Sequence, residues 1–208
     1  MASSPPTAFS INPVPAAFLL SKAAFLAANP HITNLMAGAI VFHPATAKTL
    51  LIRRAPTDTF PLKWEVPGGS VDATDAHLAA AAVRELWEET GLSATAVLCA
   101  VGQGLRDTPD GAFDRETGMC TFAGRRRNVW GKATFVVDGG DCEGVVLRPK
   151  EHVEWAWVTE DEVREGRFEG PEGRALDMVS EGVTQVVLEA FRLKRETNGW
   201  KGVSSSAP

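Results

Sequence analysis

Three glutamates crowd one short stretch of this chain, Arg84-Glu85-Leu86-Trp87-Glu88-Glu89. On a helix, residues i, i+3 and i+4 project from one face, so the carboxylates of Glu85, Glu88 and Glu89 would stand together. Like charges that close repel, by about a few tenths of a kcal/mol per pair in an isolated helix, and something must compensate. A hard divalent cation does so directly: Mg2+ and Mn2+ prefer oxygen ligands and commonly take one or two carboxylates plus the phosphate oxygens of a substrate. A solvated acidic face is the plainer alternative, and three glutamates alone do not decide between the two. Arg84 can pair with Glu88 at i+4 and fix its rotamer, while Ala79, Val83 and Leu86 make the opposite face apolar and fit to dock on a sheet.

The elements next to the helix must hold that face in place. Trp64-Glu65-Val66-Pro67 reads as a short strand delivering the chain to a tight loop at Gly68-Gly69. The helix is expected to open near Asp75, and Gly91 to stop it.

Residues 64–92 as a whole resemble the Nudix box, whose pattern is G-x5-E-x7-R-E-U-x-E-E-x-G-U with U apolar. Arg84-Glu85-Leu86-Trp87-Glu88-Glu89-Thr90-Gly91-Leu92 fits the second half at every fixed position, and Gly69 fits the leading glycine. The first half departs. Asp75 stands where the pattern has glutamate, and eight residues rather than seven separate it from Arg84. One extra residue at the loop-to-helix junction, with Asp75 as N-cap in the glutamate's stead, accounts for both.

The resemblance implies a hydrolase of nucleoside diphosphates linked to another moiety, with water attacking phosphorus and Mg2+ or Mn2+ bound. It implies Glu85, Glu88 and Glu89 as metal ligands, the carbonyl of Gly69 as a further one, and Arg84, Gly68 and Gly91 as supports of the site. One carboxylate would take the proton of the attacking water. Glu88 is nominated and Glu85 is the alternative; Asp110, Asp114, Asp138, Asp141 and Glu151 are acids on more distant segments that could serve instead. The rival reading is a Nudix-fold nucleotide-binding or regulatory protein without turnover. Such proteins usually lose box acids, and here all three are present.

The rest of the chain fits an α/β protein, a mixed sheet sandwiched by helices in the α/β/α manner of that family. Strands are expected over residues 35–43 and 49–54 as an antiparallel pair, then over 94–104, 119–123, 129–137 and 151–158. In the last of these Val153, Trp155 and Trp157 share one face, and Trp155 and Trp157 are expected in the core. An N-terminal helix spans 16–28 and a C-terminal helical segment 174–194, interrupted or weakened at Gly182. Residues 1–15 and 197–208 read as disordered tails around one domain at 16–196.

With a net charge of −5, nothing in the sequence suggests a general affinity for nucleic acid or acidic membranes. An anionic small-molecule substrate would therefore meet positive charge supplied locally, by a bound ion or by arginines. Arg53, Arg54 and Arg126 are the candidates, each set against an ordinary surface role. The three widely spaced cysteines read as reduced thiols, and no apolar run reaches the ~18 residues of a membrane span. A cytoplasmic protein is the expectation. Residues 1–57 lack Asp and Glu, as mitochondrial presequences do, which keeps that address as an alternative. The chain has no tyrosine, so a tyrosine marker like that of diadenosine-polyphosphate hydrolases is absent, and the sequence does not select the nucleotide.

Overall fold

The computed structural model describes residues 8–148, 150–170 and 173–197, and of Arg125 the backbone alone. Residues 1–7 and 198–208 of the expected tails lie outside them. In chain order the elements are β1 (Ser10–Ile11), α1 (Lys22–Ala28), β2 (Asn34–Val41), β3 (Thr49–Arg54), β4 (Trp64–Glu65), β5 (Gly68–Ser70), α2 (Leu78–Thr90), β6 (Ala96–Val101), β7 (Ala112–Phe113), β8 (Cys120–Ala123), β9 (Val129–Asp138), β10 (His152–Val158), α3 (Glu160–Glu165) and α4 (Glu181–Glu196).

β9 organises the larger sheet. Along one edge it runs parallel to the whole of β2; along the other its first half pairs with β8 and its second half with β6, both antiparallel. β5 continues the sheet beyond β2, and β1 lies parallel to β6 at the far side. Alternate residues of β2 and β9 feed two cores. Ala37, Ala39, Val41, Ala133, Phe135 and Val137 meet Leu78, Ala82, Val83 and Leu86 of α2, with Phe18 and Phe25, on one face. Ile40 and Val136 meet Val186, Val187, Ala190 and Phe191 of α4 on the other. The mixed sheet between helices is the α/β/α architecture expected.

Several local expectations change. Ser10–Ile11, placed in a tail by sequence, is a strand: Ser10 N–H donates to Thr95 O and Asn12 N–H to Val97 O. The N-terminal helix is two pieces, a 3-10 turn over Ala16–Leu19 and α1, because Ser21 takes extended geometry and caps Ala24. β2 and β3 are not a paired hairpin. Past one bridge between Phe42 and Thr49, β3 leaves for a separate sheet of order β10-β3-β4. The C-terminal helix starts only at Glu181, after Trp64 N–H and Val179 N–H have bonded Asp177 O and Trp64 O across an extended approach. On β10 the shared face points outward: Val153 and Trp155 are exposed, and Trp157 is half-buried, edge-on to His43. Burial pushes the thiols of Cys99, Cys120 and Cys142 up to about 11, which leaves them protonated. No helix among the described residues is long and apolar enough to cross a membrane.

Candidate active site

α2 is built from good helix formers, Leu78-Ala79-Ala80-Ala81-Ala82-Val83, and ends where Gly91 takes φ 72° and donates to Trp87 O. Its start is not at Asp75. His77 is the N-cap, its Nδ1 accepting from Ala80 N–H at 3.0 Å. Asp75 instead closes a turn by accepting from Asp72 N–H at 2.7 Å.

So placed, Asp75 meets Arg84 as a fork on a fork: Nε donates to Oδ1 at 2.9 Å and Nη2 to Oδ2 at 3.0 Å. The rest of the guanidinium is also spoken for. Nη1 donates to Glu85 Oε1 at 2.9 Å and to Glu88 Oε2 at 3.0 Å, and Nη2 to Ser70 O at 2.9 Å. One arginine thus fixes three carboxylates and ties α2 to the end of β5, the strand that holds Gly68 and Gly69.

Gly68-Gly69 lies directly under the glutamates. A Cβ on Gly69 would fall 2.7 Å from both carboxylate oxygens of Glu85, and one on Gly68 would fall 2.5 Å from Ala37 O. Only glycine admits both approaches. Gly68 N–H donates to Glu89 Oε2 at 2.7 Å. Glu88 is the most open of the three, with Arg148 Nη2 3.9 Å from its Oε1.

The predicted glutamates therefore divide. Glu85 and Glu88 are bridged by Arg84, whereas Glu89 turns inward. Among the described residues, the group of three potential ligand side chains whose atoms all come within 4.8 Å of one another is Glu89, Glu151 and His152. Of the distant acids considered, only Glu151 reaches this group. Asp110 caps α4 through Glu181 N–H and Gly182 N–H, and Asp114, Asp138 and Asp141 bond their own turns at Thr117, Gly140 and Glu143. Arg53 is paired with Glu154 at 3.1 Å, Arg54 with Asp58 at 2.7 Å and with Glu65, and Arg126 is exposed at the turn between β8 and β9.

Sequence reasoning missed Glu65 and His152, buried at 5% and 3% exposure. His152 Nε2 faces Glu65 Oε1 at 3.5 Å, its Nδ1 faces Glu89 Oε1 at 3.8 Å, and Nδ1 has no hydrogen-bond partner. A signal was present in the placement of Glu65 three residues before Gly68 and of Glu151-His152 at a strand start, but neither has ligand spacing.

Electrostatics separate the acids. Burial would push Glu65 up, but His152, Lys132 and Arg54 outweigh it and hold the carboxyl below its ordinary range. Burial raises Glu85, with Arg84 pulling back. Burial, and then the charges of Glu65, Glu85 and Glu151, push Glu89 well above its ordinary range, the Gly68 N–H offsetting only part. A groove of about 540 Å³ lined by Pro13, Val14, Cys99 and Gln103 shares no residue with this face.

The NUDIX domain, as a family, matches residues 33–177, more than half of the chain. The chain belongs to the Nudix family. Among solved structures, the Nudix hydrolase RenU from M. smegmatis is 20% identical with a TM-score of 0.51, over 85% of this chain and 91% of that one. An Ap4A hydrolase from C. elegans, solved as a binary complex, is 16% identical with a TM-score of 0.50, over 77% of this chain and 98% of that one. Both are similar to it in fold. No curated protein matches the chain. Within this Nudix domain Asp75, in the altered first half of the box, grips Arg84 with both carboxylate oxygens.

Proposed function

We propose that this Nudix protein is a divalent-metal-dependent hydrolase that cleaves the diphosphate linkage of a small nucleotide or nucleoside-diphosphate derivative by attack of water at phosphorus. The observation that carries the reading is the meeting of α2 with Gly68-Gly69. Glu85 lies against Gly69 there, Glu89 accepts from Gly68 N–H, and Arg84 holds Glu88 beside Glu85. The fit to a hard cation rests on chemistry visible in the fold: an acid, Glu89, that burial and its acidic neighbours hold up, and oxygen donors in excess of the cationic partners.

Glu85, Glu88 and Glu89, with the carbonyl of Gly69, would hold Mg2+ or Mn2+. Bound there, such an ion would supply charge to neutralise the diphosphate and would lower the pKa of a water. Arg84 orients Glu85 and Glu88 and keeps them from swinging into solvent. Glu88, the most open, takes the proton of the attacking water, with Glu85 the alternative. Arg148 beside Glu88 is the exposed guanidinium in place to meet the substrate's phosphate; Arg53 and Arg54 are already committed to acids. A cytoplasmic setting with reduced thiols goes with this reading.

The test is chromatography of a nucleotide panel (dinucleotides, nucleoside triphosphates, nucleotide sugars) incubated with the protein and Mg2+. The parent is expected to cleave at least one class, and Glu88→Gln to lose about 10²–10⁴-fold in rate, as for a lost general base. No cleavage of any class by the parent would leave the non-catalytic reading standing.

A further inference from the structure

His152 is the one side chain in the described structure with a fully buried nitrogen that bonds nothing. Its surroundings are not apolar. Nε2 faces Glu65, which Arg54 holds from the other side, and Nδ1 faces Glu89 Oε1. With Nε2–H directed at Glu65, Nδ1 presents a lone pair. Glu89 Oε2 is occupied by Gly68 N–H, so the Oε1 turned to His152 is the free oxygen. Two lone-pair atoms thus confront each other across 3.8 Å in a buried pocket, too far for a direct hydrogen bond. Two ligands of one ion lie about 3–4.2 Å apart when their bonds are about 2.1 Å long. Glu151, at the mouth, brings a third ligand atom within 4.8 Å of both.

We propose that Glu89, Glu151 and His152 form a mixed nitrogen–oxygen site for a divalent transition-metal ion, with Glu65 as the positioning residue that orients the imidazole. The inference deepens the hydrolase reading in that it shares Glu89 with the metal face proposed there. The carboxylate–histidine–metal arrangement is the usual way a ligating imidazole is oriented, its second nitrogen donating to an acid. One imidazole among carboxylates shifts preference from Mg2+ toward Mn2+ and later metals, because nitrogen is the softer donor. Glu85 and Glu88 lie outside this site, tied to Arg84.

The experiment uses Mn2+ as probe on the full chain, stripped with chelator. Pulsed EPR of the Mn2+-loaded parent is expected to show coupling to a directly bound nitrogen-14, lost in His152→Gln, a change that keeps a donor toward Glu65. Calorimetry is expected to show Mn2+ affinity falling at least tenfold in His152→Gln and in Glu151→Gln, with Mg2+ affinity changed less in the former. Glu65→Gln should weaken Mn2+ by about 10–100-fold while keeping the nitrogen signal. Glu151 is exposed, so its variant tests the site even if His152→Gln fails to fold. Absence of nitrogen coupling in the parent overturns the proposal, as does Mn2+ affinity unchanged in a folded His152→Gln or in Glu151→Gln. Nucleotide cleavage with Mg2+ alongside that result leaves the hydrolase reading intact. Nitrogen coupling without cleavage of any nucleotide does the reverse.

Discussion

Near the last turns of α2, Glu85 and Glu88 share the guanidinium of Arg84, whose remaining edge is locked onto Asp75. Across the same helix, Glu89 shares its pocket with Glu65, Glu151 and His152, where Arg54 and Lys132 act on Glu65. Both neighbourhoods are acidic; the second has Arg54 paired with Glu65, and the first has one guanidinium bonded to three of its acids. There the carboxylates are oriented by the protein itself. In the second, one carboxyl is held well above its ordinary range and one ring nitrogen is left bare. The contrast separates acids that one arginine orients from an acid, Glu89, that faces a ring nitrogen without a hydrogen-bond partner.

Breaking the side that Arg84 orients should have the largest effect. Arg84→Met strips both guanidinium bonds from Asp75, whose side chain is only 6% exposed, and removes the partner of Glu85 and Glu88. Leaving a buried charge unpaired costs about 3–5 kcal/mol, or roughly 6–20 °C in Tm for a chain this size. Thermal unfolding checks this, and adding Asp75→Asn to the same variant should restore part of the loss. A drop of less than ~1 kcal/mol would mean that Arg84 is not the counter-charge that holds this side.

Next in size are the two glycines, which divide catalysis from stability. Gly69→Ala puts a methyl against the end of the Glu85 side chain, which can swing aside. Hydrolysis should fall about 10²-fold, as for a reacting group misplaced by an ångström, with little change in Tm. Gly68→Ala meets the backbone of β2, which cannot yield, and should cost about 1–3 kcal/mol. If Gly69→Ala keeps full activity, Glu85 is not part of the working face.

These contrasts also mark what could be read from the chain alone. The second half of the box was legible because i, i+3, i+4 spacing and a left-handed terminal glycine are local facts. The start of α2 was not: Asp75 is a standard cap residue, yet a turn from Asp72 and the pull of Arg84 claimed it, and His77 capped the helix. The partition of β2 and β3 into different sheets depends on β10, far down the chain, and no turn signal at residues 44–48 encodes it. On β10 the alternation was right and the choice of buried face wrong, because what covers a face is decided by other elements. His152 escaped for the same reason. A lone histidine has no spacing, and its partners Glu65 and Glu89 come from separate elements.

On the Glu89 side, Glu89→Gln is expected to stabilise the chelator-treated protein. Glu89 is raised above its ordinary 4.5 by burial first and by Glu65 next, so the folded state binds its proton more tightly than the unfolded chain does. Stability from this group is then full below 4.5 and is lost as pH rises through the folded value. At pH 7–8 the variant should unfold a few degrees above the parent, near 4.5 the two should converge, and Mn2+ should raise the Tm of the parent alone, about 2–4 °C for each kcal/mol of binding linkage. A variant less stable than the parent at pH 8 would mean that the pocket is not short of positive charge.

The smallest effect belongs to the cap that replaced Asp75. His77 must be neutral at Nδ1 to accept from Ala80 N–H, and burial lowers its pKa from 6.5, Asp75 pulling the other way. The unfolded chain therefore takes this proton more readily. Its contribution is full above 6.5 and is lost as pH falls through 6.5 toward the lower folded value. His77→Ser keeps an acceptor for the helix start and cannot titrate. The difference in unfolding free energy between parent and variant should be flat from pH 7 to 8 and move in the variant's favour below 6.5, by well under about 1 kcal/mol, since the ring is half exposed and screened. Every other titrating group is common to both proteins, so the difference isolates His77. A difference that stays flat down to pH 5 would show that the cap is held by some other contact, and that the junction carrying the extra residue is not the pH-sensitive end of the helix.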